Sequence, residues 1–353
     1  MGIKKALNRS GEILRKQGLK SLINIVWTKL YTFKALPLSV KGYPITAQIE
    51  TTNMCNLKCN MCAHSTASWK SHIPPKMLTL EEFKSIINQL PYIQLVLING
   101  VGEPLLNPHL IDMIKYANNR GIRSSFFTNA MLLTKDKVRE LINAKGLIDL
   151  KVSIDGGTPD TYERIREGAS FSKLFENIKN FIEMRNAAGR EMPHISVYTV
   201  AMRENIHEIP LLVDLIAGLG IKQMYLHGFL EDDNTKGEPL KPDDIVLLER
   251  YKKDAAAKGI NITAGELPDG TSNTLRERTC IDPWKMVYVN AAGWINPCCY
   301  SFHDKSVYFG NIFETDLKKI WNNENYRDFR HKLKTDMPAP CLRCPRYGKK
   351  RAI

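Results

Sequence analysis

Between residues 45 and 230, short β-like runs alternate with longer segments of helical period, and this alternation restricts the fold more than any other feature of the chain. The runs are ITAQIE (45–50), QLVLIN (94–99), RSSFFT (123–128), IDLKVSI (148–154), HISVYTV (194–200) and KQMYLH (222–227). Between them lie helical patterns. LTLEEFKSIINQL (78–90) has Thr79 as its predicted N-cap, PHLIDMIKYANNRG ends at Gly121, and FSKLFENIKNFIEMRNAAG ends at Gly189. A series of βα units implies a parallel sheet with right-handed crossovers. Runs that are apolar on both faces suit strands covered on both sides. A closed eightfold barrel is the default for a longer series, and here the repeats stop after the six runs. The predicted class is therefore α/β: a partial (β/α)6 TIM-like barrel with a small C-terminal α+β domain.

The polar, turn-rich segment EDDNTKGEPLKPDD (231–244) reads as a boundary, followed by a helix near 245–258 and the short strand NITA. From residue 280 the character changes. KMVYVNAAGWINP reads as a β-hairpin around Ala291–Gly293, and two short helices are predicted near 315–333. The expected division is a basic helical segment (1–40), a core (41–235), a linker with a helix (236–279) and a C-terminal domain (280–353). No repeat of solenoid period and no low-complexity tract is present.

In a βα series the loops after the strands build the site. The loop after the first run reads CNLKCNMC, which sets Cys55, Cys59 and Cys62 at C-x3-C-x2-C spacing. Zinc and electron-transfer iron–sulfur sites normally close with four ligands. Three leave one metal position open, and an open position favours chemistry. NGVGEP (99–104), Thr128-Asn129 and SIDGG (153–157) end the next three runs, so these polar motifs converge on one face. Of the eight cysteines, only Cys280 stands outside a tight group. Such clustering in a chain without a secretion signal favours metal ligation over disulfides and places the protein in the cytoplasm.

These motifs, over about 45–230, resemble the radical S-adenosylmethionine (SAM) superfamily. The resemblance implies a 4Fe-4S cluster on Cys55, Cys59 and Cys62 whose remaining iron chelates the methionine part of SAM. Reductive cleavage of SAM then gives a 5′-deoxyadenosyl radical that abstracts a substrate hydrogen. Gly102, Glu103 and Pro104 resemble the family's glycine–glutamate motif for the SAM amino group, with Val101 interrupting the usual double glycine. Thr128, Asn129, Ser153 and Asp155 match positions that contact the ribose and carboxylate. Arg166 could pair with a carboxylate, and Met61 stands where a side chain lies against adenine. Taken singly, each has a plainer reading: Glu103 could cap a helix near Pro108, and Asn129 and Asp155-Gly156 could be turn residues.

The C-terminal cysteines resemble the SPASM extension, or its shortened Twitch form. Cys280, Cys298, Cys341 and Cys344 would then hold one auxiliary 4Fe-4S cluster, a four-thiolate zinc site being the structural alternative. Cys299 is left over, either as a passive neighbour or as a catalytic hydrogen donor to a substrate radical. A fully ligated auxiliary cluster suits electron acceptance, so the first expectation is oxidation of a carbohydrate-like or aminocyclitol-like small molecule. The alternatives are an epimerase, an enzyme modifying a ribosomal peptide, and a non-enzymatic metal-stabilised binding protein. A peptide modifier often carries a large N-terminal leader-binding domain, and the roughly forty residues ahead of the first run look too short for one. The chemistry implies a reducing partner such as flavodoxin or ferredoxin.

With 43% hydrophobic and 25% charged residues the chain falls in the globular class, and no apolar run approaches the ~20 residues of a membrane helix. The net charge of +13 gathers at the ends. Residues 1–40 carry eight Lys or Arg against the single acid Glu12, and the tail RYGKKRAI adds more. The N-terminal pattern puts Leu7, Ile13, Leu14, Leu22, Ile25 and Val26 near one face. Such a basic amphipathic segment either docks with its charges solvated, or contacts anionic lipid or an acidic partner. Ala6 excludes the myristoylation pattern. Nucleic acid is not an expected partner, because no aromatic-interleaved basic strand accompanies the charge.

Overall fold

The structure is a computed structural model and describes residues 2–32, 36–65, 74–229, 235–265, 280–301, 304–342 and 344. The side chain of Leu7, Lys34, residues 231–234 of the expected boundary and the basic tail from 346 lie outside the described residues.

Seven strands form the parallel series: β1 (Thr46–Ile49), β2 (Leu95–Ile98), β3 (Arg123–Thr128), β4 (Leu147–Ser153), β5 (His194–Ala201), β6 (Gln223–Gly228) and β7 (Asn261–Ala264). Each pairs with the next. The helices in chain order are α1 (Gly2–Gln17), α2 (Leu19–Leu30), α3 (Leu80–Asn88), α4 (Leu110–Asn119), α5 (Lys135–Asn143), α6 (Pro159–Ile165), α7 (Phe171–Ala187), α8 (Ile209–Gly218) and α9 (Pro242–Ala257). Thr79 caps α3 as expected. Its hydroxyl accepts from the Glu82 amide (3.1 Å) and the Glu82 carboxylate accepts from the Thr79 amide (2.8 Å), a reciprocal pair that stabilises a helix start by about 1 kcal/mol. The short run NITA, placed in the linker from sequence, extends the series by one strand beyond the expected six, because α9 returns the chain in the same direction as its predecessors.

Alternation along the strands separates two faces. Ile98, Phe126, Leu150, Val152, Ile195 and Val197 are buried in the core under the helices. Their neighbours Phe127, Lys151, Ser196, Tyr198 and Tyr225 line the concave inner face, adjacent in register.

After residue 280 come α10 (Asp282–Lys285), β8 (Met286–Val289), β9 (Trp294–Asn296), β10 (Gly310–Asn311), α11 (Leu317–Ile320), α12 (Glu324–Thr335) and α13 (Ala339–Leu342). The expected hairpin is present: β8 and β9 pair antiparallel, with Gly293 at φ +86° in the turn. Its first strand, however, also pairs in parallel with β1, Gln48 opposite Tyr288 and Ile49 opposite Val289. The C-terminal region therefore continues the barrel sheet in the order β10-β9-β8-β1-β2-β3-β4-β5-β6-β7, with no pairing between β10 and β7 among the described strands.

The N-terminal segment does not keep one face. Gly18 adopts φ +79° and breaks it into α1 and α2. Ile13 is buried, Leu22 and Ile25 are half-buried, and Leu14 and Val26 are exposed. Arg9 donates to the Gln94 carbonyl (3.3 Å), and Gln17 donates to the carbonyls of Ile93 (3.1 Å) and Arg120 (3.3 Å). These acceptors precede β2 and β3, so α1 covers the end of the barrel opposite the site loops. Residues 37–42 are strapped to the C-terminal region by indole donors, Trp284 to Pro37 (2.6 Å) and Trp321 to Gly42 (2.9 Å). Arg330 donates to the Leu38 carbonyl (3.0 Å) beneath the same strap.

Candidate active site

The loop leaving β1 is stitched to the segment after α6. The Lys58 amide donates to the Glu167 carbonyl (2.9 Å), that of Asn60 to Ile165 (3.0 Å), and that of Cys62 to Cys59 (3.1 Å). Cys59 is buried and Cys55 and Cys62 are half-buried. Burial pushes all three thiols up, and the neighbouring Cys59 and Cys55 help to raise Cys62 to about 12. Three such thiols become thiolates together only when a cationic centre takes their place as counter-charge. Among the described residues, no three or more His, Cys, Asp or Glu side chains converge on a point that a single metal ion would occupy. Thiolates around one zinc must all lie about 2.3 Å from it, whereas a 4Fe-4S cube engages each through its own iron. The donor set fits the cluster better than a lone ion.

NGVGEP packs directly on this loop. A Cβ at Gly102 would lie 2.2 Å from the Thr52 carbonyl oxygen and 2.6 Å from that of Met54, and the Glu103 amide donates to Met54 (2.8 Å). Only glycine permits that approach. Glu103, 3% exposed, accepts from the Thr128 hydroxyl (2.8 Å) and the amides of Leu105 (3.1 Å) and Asn129 (2.8 Å). It does cap, but the cap is on the 3-10 turn Pro104–Leu106 and not on a helix near Pro108. Burial pushes its carboxyl up despite these donors. Two carboxylate oxygens offer about four acceptor sites, so one remains for an ammonium group. Asn129 is both a turn residue and a bridge: its oxygen accepts from the Met131 amide (3.0 Å), and its nitrogen donates to Asn56 (2.9 Å) in the cysteine loop.

Ser153, half-buried at the end of β4, makes no side-chain hydrogen bond among the described residues. Asp155 is fully buried, accepts from the Val200 amide (2.7 Å) and pairs with Arg166 at 2.6 Å. Arg166 also reaches the Cys59 sulfur at 3.9 Å. Burial pulls the Arg166 pKa down, but the negative charges of Asp155 and Cys59 outweigh it and the net shift is upward. Its Nε is buried with no hydrogen-bond partner among the described residues, an orphan donor beside the cysteines. Met61 packs with Val200 against the small apolar cluster of Ile165, Met202 and Phe229, a wall suited to an aromatic base. The sequence-predicted positions at the ends of β2, β3 and β4 thus meet the cysteine loop around one centre.

Two groups were not anticipated. Glu50, 1% exposed, directly follows β1 and accepts from the Val101 amide (2.9 Å), the Tyr288 hydroxyl (3.0 Å) and the Ala291 amide (3.2 Å). It ties β1, the glycine–glutamate loop and the C-terminal hairpin together. The available signal was an acid closing an apolar run immediately before the cysteines. The second group lies on the concave face, where Lys151 Nζ stands 5.0 Å from the Phe127 ring and 5.4 Å from that of Tyr198. Tyr198 stacks on Tyr225 and on His227. Burial lowers the Lys151 pKa, with Asp149 opposing. Only the strand pairing brings these residues together.

In the C-terminal region, burial and the thiols of Cys280 and Cys344 raise Cys341 to about 12. The Cys298 sulfur lies 3.9 Å from the Ser301 hydroxyl. Cys299 acts elsewhere: burial, then Glu50 and Cys299, push the Tyr288 phenol well up.

With this geometry in place, comparison with known proteins is decisive for the class. The radical SAM superfamily profile matches residues 49–216, and that of the SPASM iron–sulfur cluster-binding domain matches 280–345. The chain is a radical SAM enzyme with a C-terminal SPASM domain. Among its relatives, the tungsten-containing aldehyde ferredoxin oxidoreductase cofactor-modifying protein of Pyrococcus furiosus is 26% identical, the match covering 84% of this chain and 86% of the relative. The PqqA peptide cyclase of Bradyrhizobium diazoefficiens is 25% identical over 86% of this chain and 79% of the relative. Among solved structures, Streptococcus suis SuiB bound to its precursor peptide SuiA superimposes with a TM-score of 0.68 at 18% identity, covering 86% of this chain and 70% of that one. The partial barrel with its C-terminal domain is the architecture of this class, which takes SAM, a SAM-binding 4Fe-4S cluster and auxiliary iron–sulfur centres. Among the described residues, no helix is long and apolar enough to cross a membrane.

Proposed function

We propose that this enzyme modifies a peptide by removing hydrogen from one of its carbon atoms. The observation that carries this reading is the likeness, over most of both chains, to a relative named a peptide cyclase. The fold it shares with SuiB is also one that holds a precursor peptide. A concave face lined by Lys151, Phe127, Tyr198 and Tyr225 offers such a peptide a cationic and aromatic wall. These points favour a peptide over the carbohydrate-like substrate first expected from the sequence. The name of the Pyrococcus furiosus relative supports a second reading, in which the substrate is a small cofactor-like molecule.

When bound, SAM and its cluster supply a carbon-centred radical that takes a hydrogen atom from substrate. In this reading Cys55, Cys59 and Cys62 hold the cluster. Gly102, Glu103 and Pro104 receive the SAM amine. Thr128, Asn129, Ser153, Asp155 and Arg166 fix its ribose and carboxylate side, and Met61 faces the base. Cys280, Cys298, Cys341 and Cys344 ligate one auxiliary cluster, and a one-electron protein donor such as flavodoxin or ferredoxin reduces the enzyme.

The test is anaerobic turnover of iron- and sulfide-loaded protein with SAM, a reductant and short peptides encoded beside its gene, read by mass spectrometry. A peptide product of altered mass, formed with 5′-deoxyadenosine and absent from the Cys55→Ala/Cys59→Ala/Cys62→Ala variant, is expected. Inert peptides combined with turnover of a small metabolite would replace this reading with the second.

A further inference from the structure

Helix α2 is turned the opposite way from an ordinary core helix. Its buried residues are Ser21, Asn24 and Thr28, while Leu19, Ile23, Val26, Trp27 and Leu30 are 41–61% exposed. At about 100° per residue the five apolar side chains fall within an arc of about 100°, and the three polar ones lie on the other side. Hydrogen bonds fix this orientation. Asn24 donates to the Tyr43 carbonyl (3.0 Å) and accepts from the Tyr43 amide (2.8 Å), so its side chain pairs with the backbone just ahead of β1. Rolling α2 to bury its apolar stripe would break both bonds. An exposed apolar stripe of this length marks an interaction surface.

The flanks identify what covers it. Lys20 and Lys29 are exposed and border the stripe about 80–100° to either side of its centre. Trp27 stacks on Tyr31 at 5.7 Å, with the Lys41 ammonium 5.9 Å from its ring. Arg15 and Lys16 close the preceding helix. The only acid in residues 1–40, Glu12, is engaged by Arg9 at 2.6 Å. An apolar stripe with aromatic residues and cations on both borders is the pattern that settles in the headgroup layer of an anionic bilayer. A protein groove could accept the stripe but would not need a cation on each side.

We propose that α2 lies in the plane of an anionic membrane surface, with Leu19, Ile23, Val26, Trp27 and Leu30 at the acyl boundary and Lys20, Lys29 and Lys41 at the lipid phosphates. Because α1 and α2 sit at the N-terminal end of the strands, the site loops then face away from the bilayer. The proposal is independent of which substrate is modified.

The test floats full-length, cluster-loaded protein with vesicles of phosphatidylcholine alone or mixed with phosphatidylglycerol. Wild type should float with the mixed vesicles only, and its tryptophan emission should shift to the blue. Ile23→Ser/Val26→Ser/Leu30→Ser should stay at the bottom of the gradient. Lys20→Gln/Lys29→Gln should bind about thirtyfold more weakly, at about fivefold per lysine. Melting temperature and iron content check the fold of each variant. If the serine variant melts early, the lysine pair decides alone, because it leaves the stripe intact. Equal flotation with both vesicle types, no flotation of wild type, or full binding by the lysine variant overturns the proposal. So does a wild-type dimer in solution that the serine variant dissolves, since a second copy would then cover the stripe.

Discussion

Replacing Glu50 by alanine should loosen the junction between the loop carrying Gly102 and Glu103 and the SPASM hairpin. Three donors lose their acceptor at once: the amides of Val101 and Ala291 and the hydroxyl of Tyr288. Each buried donor left unpaired costs about 1–3 kcal/mol, so even the low end of the sum is about 3 kcal/mol. At an unfolding entropy of about 2.1 cal/mol/K per residue, a chain of 353 residues shifts by about 1.3 °C per kcal/mol, so the melting temperature of the loaded protein should fall by at least roughly 4 °C. Glu50→Gln retains one oxygen to accept from Val101 and Tyr288 but turns an NH2 group towards the Ala291 amide, so its cost should be about 1–3 kcal/mol.

The two variants also differ from wild type in their pH dependence. Burial raises the Glu50 pKa in the folded protein against the lowering effect of its three donors. Between the ordinary carboxylate pKa and this raised value, the folded state holds more protons than the unfolded one. Stability from this group is therefore fully present below the unfolded pKa and is lost as pH rises through the folded pKa. The stability gap between wild type and Glu50→Gln should be widest in acid and should narrow as pH increases. Scanning calorimetry or circular dichroism of anaerobic samples across a pH series measures both effects. A Glu50→Ala variant melting within about 1 °C of wild type, or a gap that widens with pH, would refute the assignment of Glu50 as the tie.

Arg166→Met leaves Asp155 buried without its cation and should destabilise the protein by about 3–5 kcal/mol; adding Asp155→Asn should recover part of that loss in the same melting assay. In Cys55→Ala/Cys59→Ala/Cys62→Ala, iron analysis should show about half of the roughly eight iron atoms that two 4Fe-4S clusters supply, with no 5′-deoxyadenosine formed. Retention of all the iron would break the two-cluster assignment. Cys299→Ser should keep most of its turnover if that thiol is a passive neighbour. If it donates hydrogen, the variant should cleave SAM without releasing product, and wild type run in heavy water should place deuterium on the substrate carbon.

Local rules made the barrel legible. Thr79 with Glu82, the glycines that end helices and the apolar runs at strand spacing each act within a few residues, and the elements they predict are present with boundaries shifted by at most three positions. The cysteine loop was legible for a different reason: a metal needs several ligands from a short stretch, so its spacing survives in the sequence. What escaped was long-range. The pairing of β8 with β1 joins residues 286–289 to 46–49, and no local propensity encodes that partner. Glu50 escaped because its three donors come from positions 101, 288 and 291. The N-terminal pattern shows an amphipathic segment but not which way each helix turns, and Gly18 splits it into two helices with different buried faces. Asn24 sets the orientation of α2 by pairing with the Tyr43 backbone, a contact no local pattern encodes.

The continuity of the sheet changes how the C-terminal domain should be regarded. A separate module on a linker would meet the barrel across a surface and could rotate against it. Here β8 shares a hydrogen-bonded ladder with the strand that launches the cysteine loop, and the turn after β8 donates to the same carboxylate as the loop carrying Gly102 and Glu103. Residues 37–42 close the arrangement from the other side through Trp284, Trp321 and Arg330. A displacement of the hairpin must therefore move Glu50, and moving Glu50 must disturb the loop carrying Gly102 and Glu103. The domain that binds the auxiliary centre and the barrel that binds SAM act as one mechanical unit, with Glu50 as its shared acceptor.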